Sequence, residues 1–152
     1  MKVLDDVRKN GPRPGQIAAT KHEDLLMQTR MYHGGSGTEA YLRVVCSMAK
    51  ADKPDDYTAM LKKLLVPTFE EQLKKGVATY YGVDEQYVNT SAPSTRCVVI
   101  TYPNAESMDK WATAVNATLG KMSAADRDAF YGSTVTDSRR DIMARITHSG
   151  HK

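Results

Sequence analysis

Apolar and polar positions alternate with two different periods along this chain, and the changes of period mark out its elements. From Ala40, the segment AYLRVVCSMA places Leu42, Val44, Cys46 and Met48 on one side and Tyr41, Arg43, Val45 and Ser47 on the other. That two-residue period predicts a strand with one fully apolar face. KADKPDD then supplies a turn, with Asp52 as the expected N-cap before Pro54 and with Asp55 and Asp56 beside the positive end of a helix dipole. Over the next stretch Tyr57, Met60, Leu61, Leu64, Leu65, Phe69, Gln72 and Leu73 recur at three- and four-residue spacing, opposite Lys62, Lys63, Glu70, Glu71, Lys74 and Lys75. This is an amphipathic helix, which Pro67 should kink or split because proline cannot bond the carbonyl of Lys63. Lys74, Lys75 and Gly76 end it.

VATYYGV and EQYVNTSAPSTRCVVITY follow, two β-rich segments around a polar turn at residues 89 to 94, and they read as an antiparallel hairpin. Asn104 caps a second helix with Met108, Trp111, Ala112, Val115 and Leu119 as its apolar stripe. Ser123, with Asp126 three residues on, starts a short extra helix. Residues 141 to 148 alternate Ile142, Ala144 and Ile146 against Met143, Arg145 and Thr147, a closing strand. The order βαββαβ with right-handed crossovers predicts an α+β ferredoxin-like sandwich: a four-stranded antiparallel sheet with helices on one face.

Residues 1–39 are less patterned. GPRPG and GGSG flank KHEDLLMQTRMY, which reads as an arm with one short element and a hinge, leaving residues 40–152 as the folded domain. Leu25, Leu26, Met27 and Met31 give the arm an apolar patch that should dock, across its own domain or on a neighbouring subunit.

A length of 152 residues with 41% hydrophobic content suits one domain. The net charge of +3 is scattered, with no basic arm or stripe to suggest nucleic acid or a membrane surface. No apolar run reaches the roughly 18 residues of a membrane span, and MKVLDDVRKNG lacks the apolar core of a secretory signal. Cys46 and Cys97 form no disulfide framework or metal spacing, so they leave the redox compartment open. Against the RNA-recognition pattern, Thr95 takes the Lys/Arg position and Cys97 and Val99 take the two stacking positions, which need aromatic rings. Nucleic acid is not expected as a partner.

If Val98, Ile100 and Tyr102 pack on the helices, Cys97, Val99 and Thr101 lie on the other face, where Tyr41, Arg43, Val45 and Ser47 are expected to join them. Such a face is too apolar to stay wet, and a second copy related by a two-fold axis is the economical cover. The segments YLRVVCSMAKADKPDDYTAMLKKLLVPTFEEQLKKGVATYYGV, RCVVITYPNAESMDKW and SRRDIMARITH, over roughly residues 40 to 148, resemble the dimeric α+β barrel superfamily. The likeness is to its little-characterised bacterial members, many of them exported. It rests on layout and local texture and includes no catalytic signature.

The resemblance implies a homodimer binding a small organic ligand, with cofactor-independent chemistry on an aromatic or enolic substrate as one outcome. A non-catalytic assembly protein, its arm docked on a neighbour, is the alternative. No cofactor or metal is expected. Haem-degrading members use an Asn, Trp, His set that has no counterpart here: Trp111 lies on a core stripe, and His22, His33, His148 and His151 lie towards the chain ends. Export, with a periplasmic location after loss of a leader, is a further implication.

The candidate ligand-binding residues are Tyr41, Arg43, Ser47, Tyr81, Cys97 and Arg145, expected inside the barrel. The two arginines would serve an anionic or enolic group, against the plainer expectation that both pair with carboxylates at the dimer interface. Tyr81 would be a lumen phenol or packing. Cys97, with no His or helix N-terminus near it, is expected as an inert buried thiol.

Overall fold

The computed structural model describes residues 27–35, 37–50, 52, 55–86 and 95–147. Five strands, β1 (Met27–Gly34), β2 (Tyr41–Met48), β3 (Tyr80–Gln86), β4 (Thr95–Tyr102) and β5 (Arg140–Arg145), form one sheet in the order β1-β3-β4-β2-β5, every pair antiparallel. Four helices accompany them among the described residues: α1 (Asp56–Leu64), α2 (Val66–Lys74), α3 (Ala105–Gly120) and α4 (Ala124–Gly132). Without β1 this is the ferredoxin-like βαββαβ fold, with α4 added before the last strand.

The arm contributes more than a docked patch. Met27–Gly34 extends the sheet as an edge strand on β3, with a register irregularity between Thr29 and Met31. That extra residue breaks the two-residue period and hides the strand in the sequence. Its ties are Arg30 to Glu85 at 2.7 Å, and His33, whose ring stacks on Tyr81 and whose Nδ1 lies 2.9 Å from Glu70 Oε1. Leu25, Leu26, His22, His148, His151 and the turn at 89 to 94 lie outside the described residues.

The predicted long helix is split. α1 stops at Leu64 and α2 restarts at Val66, with Pro67 in its first turn where a missing N–H costs nothing. Asp52 is not the cap: α1 begins at Asp56 behind Asp55, whose side chain makes no capping bond. Gly76, at φ 68°, takes the left-handed position just past α2 that a Cβ would resist. Asn104 and Ser123 cap as expected, accepting from the backbone N–H of Ser107 at 2.9 Å and of Asp126 at 3.0 Å. All four helices pack on one face, around Tyr57, Leu61, Phe69, Tyr81, Val98, Ile100, Tyr102 and Trp111.

Register decides what each face carries. β2 pairs with β4 so that Tyr41 faces Tyr102, Arg43 faces Ile100, Val45 faces Val98 and Ser47 faces Arg96. Directly opposed residues of an antiparallel pair share a face. Tyr41, Arg43, Val45 and Ser47 therefore lie on the helix side, and Leu42, Val44, Cys46 and Met48 lie on the open side with Cys97, Val99 and Thr101. The reading of β4 stands and that of β2 is reversed. The more apolar side of β2 was taken for the core, but it belongs to a sheet face that no described helix covers.

The same register corrects the cysteines. Cys46 and Cys97 are direct partners and form a disulfide, so neither is a free thiol. It closes a loop across a sequence separation of 51, worth about 4 kcal/mol by the chain-entropy relation. Replacing both cysteines with serine is expected to lower unfolding free energy in urea by that order, and dithiothreitol should destabilise the natural chain but not the variant. A variant as stable as the parent would show that the cross-link contributes nothing.

Candidate functional site

Under the β4–β2 half of the sheet, the helix layer does not close onto the strands. A cavity of about 450 Å³ remains. Its floor is Val45 and Ser47 of β2 with Val98 and Ile100 of β4. Tyr57, Leu61 and Leu65 from α1 and its junction, Phe69 of α2, Trp111, Ala112, Val115, Asn116 and Leu119 of α3, and Phe130 and Tyr131 of α4 form the roof. Aromatic rings dominate it. Phe69 and Trp111 stack with centroids 4.8 Å apart, Trp111 meets Tyr102 edge-on at 6.0 Å, and Tyr57 stacks on Phe130 at 5.7 Å.

Residues 134 to 139 make the side wall. Backbone bonds hold it to the end of β2: Val135 N–H donates to the Met48 carbonyl at 2.9 Å, and Met48 N–H donates to Ser138 Oγ at 3.0 Å. Asp137 there has φ 60°, a left-handed conformation that Asp tolerates better than most residues.

One end of the cavity is polar. Arg43 grips Asp141 of β5 with two bonds, Nε to Oδ1 at 2.9 Å and Nη2 to Oδ2 at 2.5 Å, and Arg139 reaches the same Oδ2 at 3.3 Å. A forked guanidinium has five N–H donors, so Arg43 keeps others for a ligand. The bond from Arg43, against the cost of burial, holds the Asp141 carboxyl below its ordinary range, and the same bond raises Arg43 further. The buried hydroxyl of Tyr102 lies beside Arg43 without forming a well-directed hydrogen bond. Burial pushes its titration well up, with Arg43 opposing. Burial also raises Tyr57, with Arg139 and Arg96 opposing. Both remain phenols at neutral pH and can act as donors.

Of the predicted ligand-binding residues, Arg43 and Ser47 line this cavity. They do so from the helix side of the sheet instead of a lumen on its open face. Tyr41 packs half-buried against the core, and Tyr81 is fully buried, its hydroxyl donating to Glu70 beside His33. Cys97 is on the opposite face in its disulfide, and Arg145 is exposed on β5 and does not line the cavity. Arg43 pairs with a carboxylate, but with Asp141 of its own chain and not with one at a dimer interface. The sequence reading missed Asn116, Phe130 and Arg139, and had Tyr57 only as a residue of the helix stripe. Trp111 and Phe69 were legible as stripe residues, but periodicity cannot distinguish a core residue from one that also lines a cavity.

No family model and no curated protein matches the sequence. Solved structures do share the fold. A dimeric ferredoxin-like protein from an uncultured marine organism superposes with a TM-score of 0.62 at 6% identity, over 76% of this chain and 94% of that one. An anthrone oxidase-like protein gives 0.57 at 6% identity, over 82% of this chain and 55% of the other. A protein of Fusobacterium nucleatum, provisionally described as a monooxygenase, gives 0.58 at 10% identity over 95% and 57%. The chain thus spans little more than half the length of these last two.

The Arg43–Asp141 pair yields a pH test. The folded carboxyl titrates below its ordinary value near 4, so the pair's contribution is complete above about pH 4 and is lost as pH falls through the lower folded value. Because both side chains are partly exposed, about 1 kcal/mol is expected at neutral pH. Asp141→Asn should show that deficit at pH 7, and the gap should close at pH 2 to 3 (about the lower end of the titration). A gap constant across that range would mean that the ionised pair is not its source.

Proposed function

We propose that this chain is a homodimeric small-molecule-binding protein whose ligand is a flat, hydroxylated or enolic aromatic held in the cavity between sheet and helices. The observation that carries the reading is the pairing of stacked rings, Phe69, Trp111, Tyr57 and Phe130, with the Arg43 guanidinium at one end. Rings take an aromatic body by stacking, and a guanidinium takes a phenolate, enolate or carbonyl oxygen. The volume lies within the range of small-molecule sites. Two proteins with this fold are described as anthrone oxidase-like and, provisionally, as a monooxygenase, which agrees with an aromatic ligand and with oxidation as the reaction class.

Self-association rests on the open face. Val44, Val99, Leu42 and Met48 are only half-buried there and Ile142 is 55% exposed, while one match of this fold is a dimer. Covering that surface with a second copy removes it from water. The disulfide suits an oxidising compartment and hence export.

Trp111 is the only tryptophan and lies in the roof, so its fluorescence reports occupancy. Anthrone and related fused-ring phenols should quench it saturably, with oxygen consumption showing whether the bound compound is turned over. Ala112→Phe, which fills the cavity from α3, should weaken that quenching by at least about tenfold while leaving the mass at twice the 16.8 kDa of one chain. No quenching by any member of the panel would reduce the cavity to a packing defect and favour the assembly alternative. A light-scattering mass of one chain at micromolar concentration would count against the dimer.

A further inference from the structure

Most of the cavity is enclosed by the sheet and by helices that carry buried core residues, but α4 is different. It is the helix added to the βαββαβ order, and none of its nine residues is fully buried. It nonetheless puts Phe130 and Tyr131 into the cavity lining, and Tyr131 is also 54% exposed to solvent. Other lining residues that reach solvent are Asn116 of α3 and Thr136, Asp137 and Arg139 of the side wall, on the segments just before and just after α4 in the chain. The way in from solvent therefore runs past α4.

The two ends of this helix are held unequally. Beyond its C-terminal end, the Ser133 carbonyl accepts the Lys50 N–H at 2.9 Å, Thr134 bridges to Ala49, and the Val135 N–H donates to the Met48 carbonyl, so this end is built into the end of β2. Before its N-terminal end, the Lys121 and Met122 N–H groups donate back to the carbonyls of Thr118 and Leu119, at 3.1 and 3.3 Å, and so bond only to the last turn of α3. The first turn of α4 is tied to α1 by Lys63 Nζ, 2.6 Å from Asp126 Oδ1. Lys63 is 62% exposed, and an exposed ion pair of this kind is weak and screened by salt. Further along, the ring of Phe130 lies on that of Tyr57. An element with so little buried surface, anchored at one end and latched at the other, opens at far lower cost than the core.

Resting on the reading of the cavity as a ligand site, we infer that α4 is its lid: it hinges on the end anchored to β2 at residues 133–135, is latched to α1 by the Lys63–Asp126 ion pair, and swings Phe130 and Tyr131 aside to admit and release the ligand. The latch is the same in the free and the occupied protein, so weakening it changes the rates of entry and exit and leaves affinity nearly unchanged.

Stopped-flow quenching of Trp111 by the fused-ring phenols measures entry and exit, and acrylamide, which needs no specific site, reports how readily the roof around Trp111 opens. Lys63→Glu sets two carboxylates against each other and should raise both rate constants and the acrylamide quenching constant by about threefold or more, the scale of one exposed ion pair, with Kd changed by less than about twofold. Conversely, Lys63→Cys with Asp126→Cys, joined by a short bismaleimide, should lower both rate constants at least about tenfold relative to the same variant left unjoined. The two native cysteines are held in their disulfide and do not compete for the linker. Circular dichroism checks each variant's fold first, and should Lys63→Glu be unfolded the clamped variant decides alone. Rates that clamping leaves unchanged overturn the lid, and so does a Lys63→Glu variant that speeds exit without speeding entry, since that would make the ion pair a support of the closed site. If no phenol quenches, the ligand reading of the cavity falls by itself, and the lid then stands or falls on whether clamping reduces quenching by acrylamide.

Discussion

The pairing of β2 with β4 is the constraint on which the molecule depends. β2 is apolar or amphipathic on both sides, so a slip of one residue would exchange every side chain between the two faces. The native register puts Cys46 opposite Cys97 and locks itself with a covalent bond on the open side. On the other side it delivers Arg43, Val45 and Ser47 to the helices. The cavity floor, the ion pair to β5 and the composition of the exposed sheet face all follow from one alignment.

The cavity is a consequence of unequal side-chain length under the helix layer. Towards β3 the space is filled by Tyr81, fully buried, with the ring of Phe69 edge-on and that of His33 stacked upon it. Towards β2 the sheet offers Val45 and Ser47. Above them the helices are joined to one another: Lys63 of α1 binds Asp126 of α4 at 2.6 Å, and Thr68 of α2 shares a 2.8 Å hydrogen bond with Thr118 of α3. Close packing normally eliminates such voids, so one of this size and this lining needs a reason beyond folding.

Much of the fold was legible in the sequence. Two spacings placed the elements, Pro67 marked the break between α1 and α2, and Asn104 and Ser123 marked helix starts because capping is a local interaction. What escaped was non-local. Hydrophobicity chose Leu42, Val44, Cys46 and Met48 as the core side of β2, a sound rule only where a single face is covered. β1 escaped because its bulge disrupts alternation in a segment that also carries Gln28, Arg30 and His33. Arg43 and Ser47 were found as site residues for their chemistry and assigned to the wrong side of the sheet. Arg139 could not have been found, since only tertiary structure brings the wall at 134 to 139 against β2.

β5 links the two surfaces. Every one of its residues is exposed, and Met143 is 64% so, yet it lies beside both the polar end of the cavity and the open sheet face. Asp141 points inward to hold Arg43 at the polar end of the cavity, while Arg140 and Ile142, on either side of it, point the other way. Within the chain β5 is held by its ladder to β2, by that ion pair, and by the Ile146 N–H donating to the Ala40 carbonyl at 2.8 Å. An edge strand with so little of itself buried is the part of the sheet most readily opened. If a second copy covers the outer side of β5, it also steadies the inner side, so association would hold Arg43 and Asp141 in place for a ligand that never touches the interface. The dependence is reciprocal, because a ligand that engages Arg43 favours the same position of β5 and hence the same dimer.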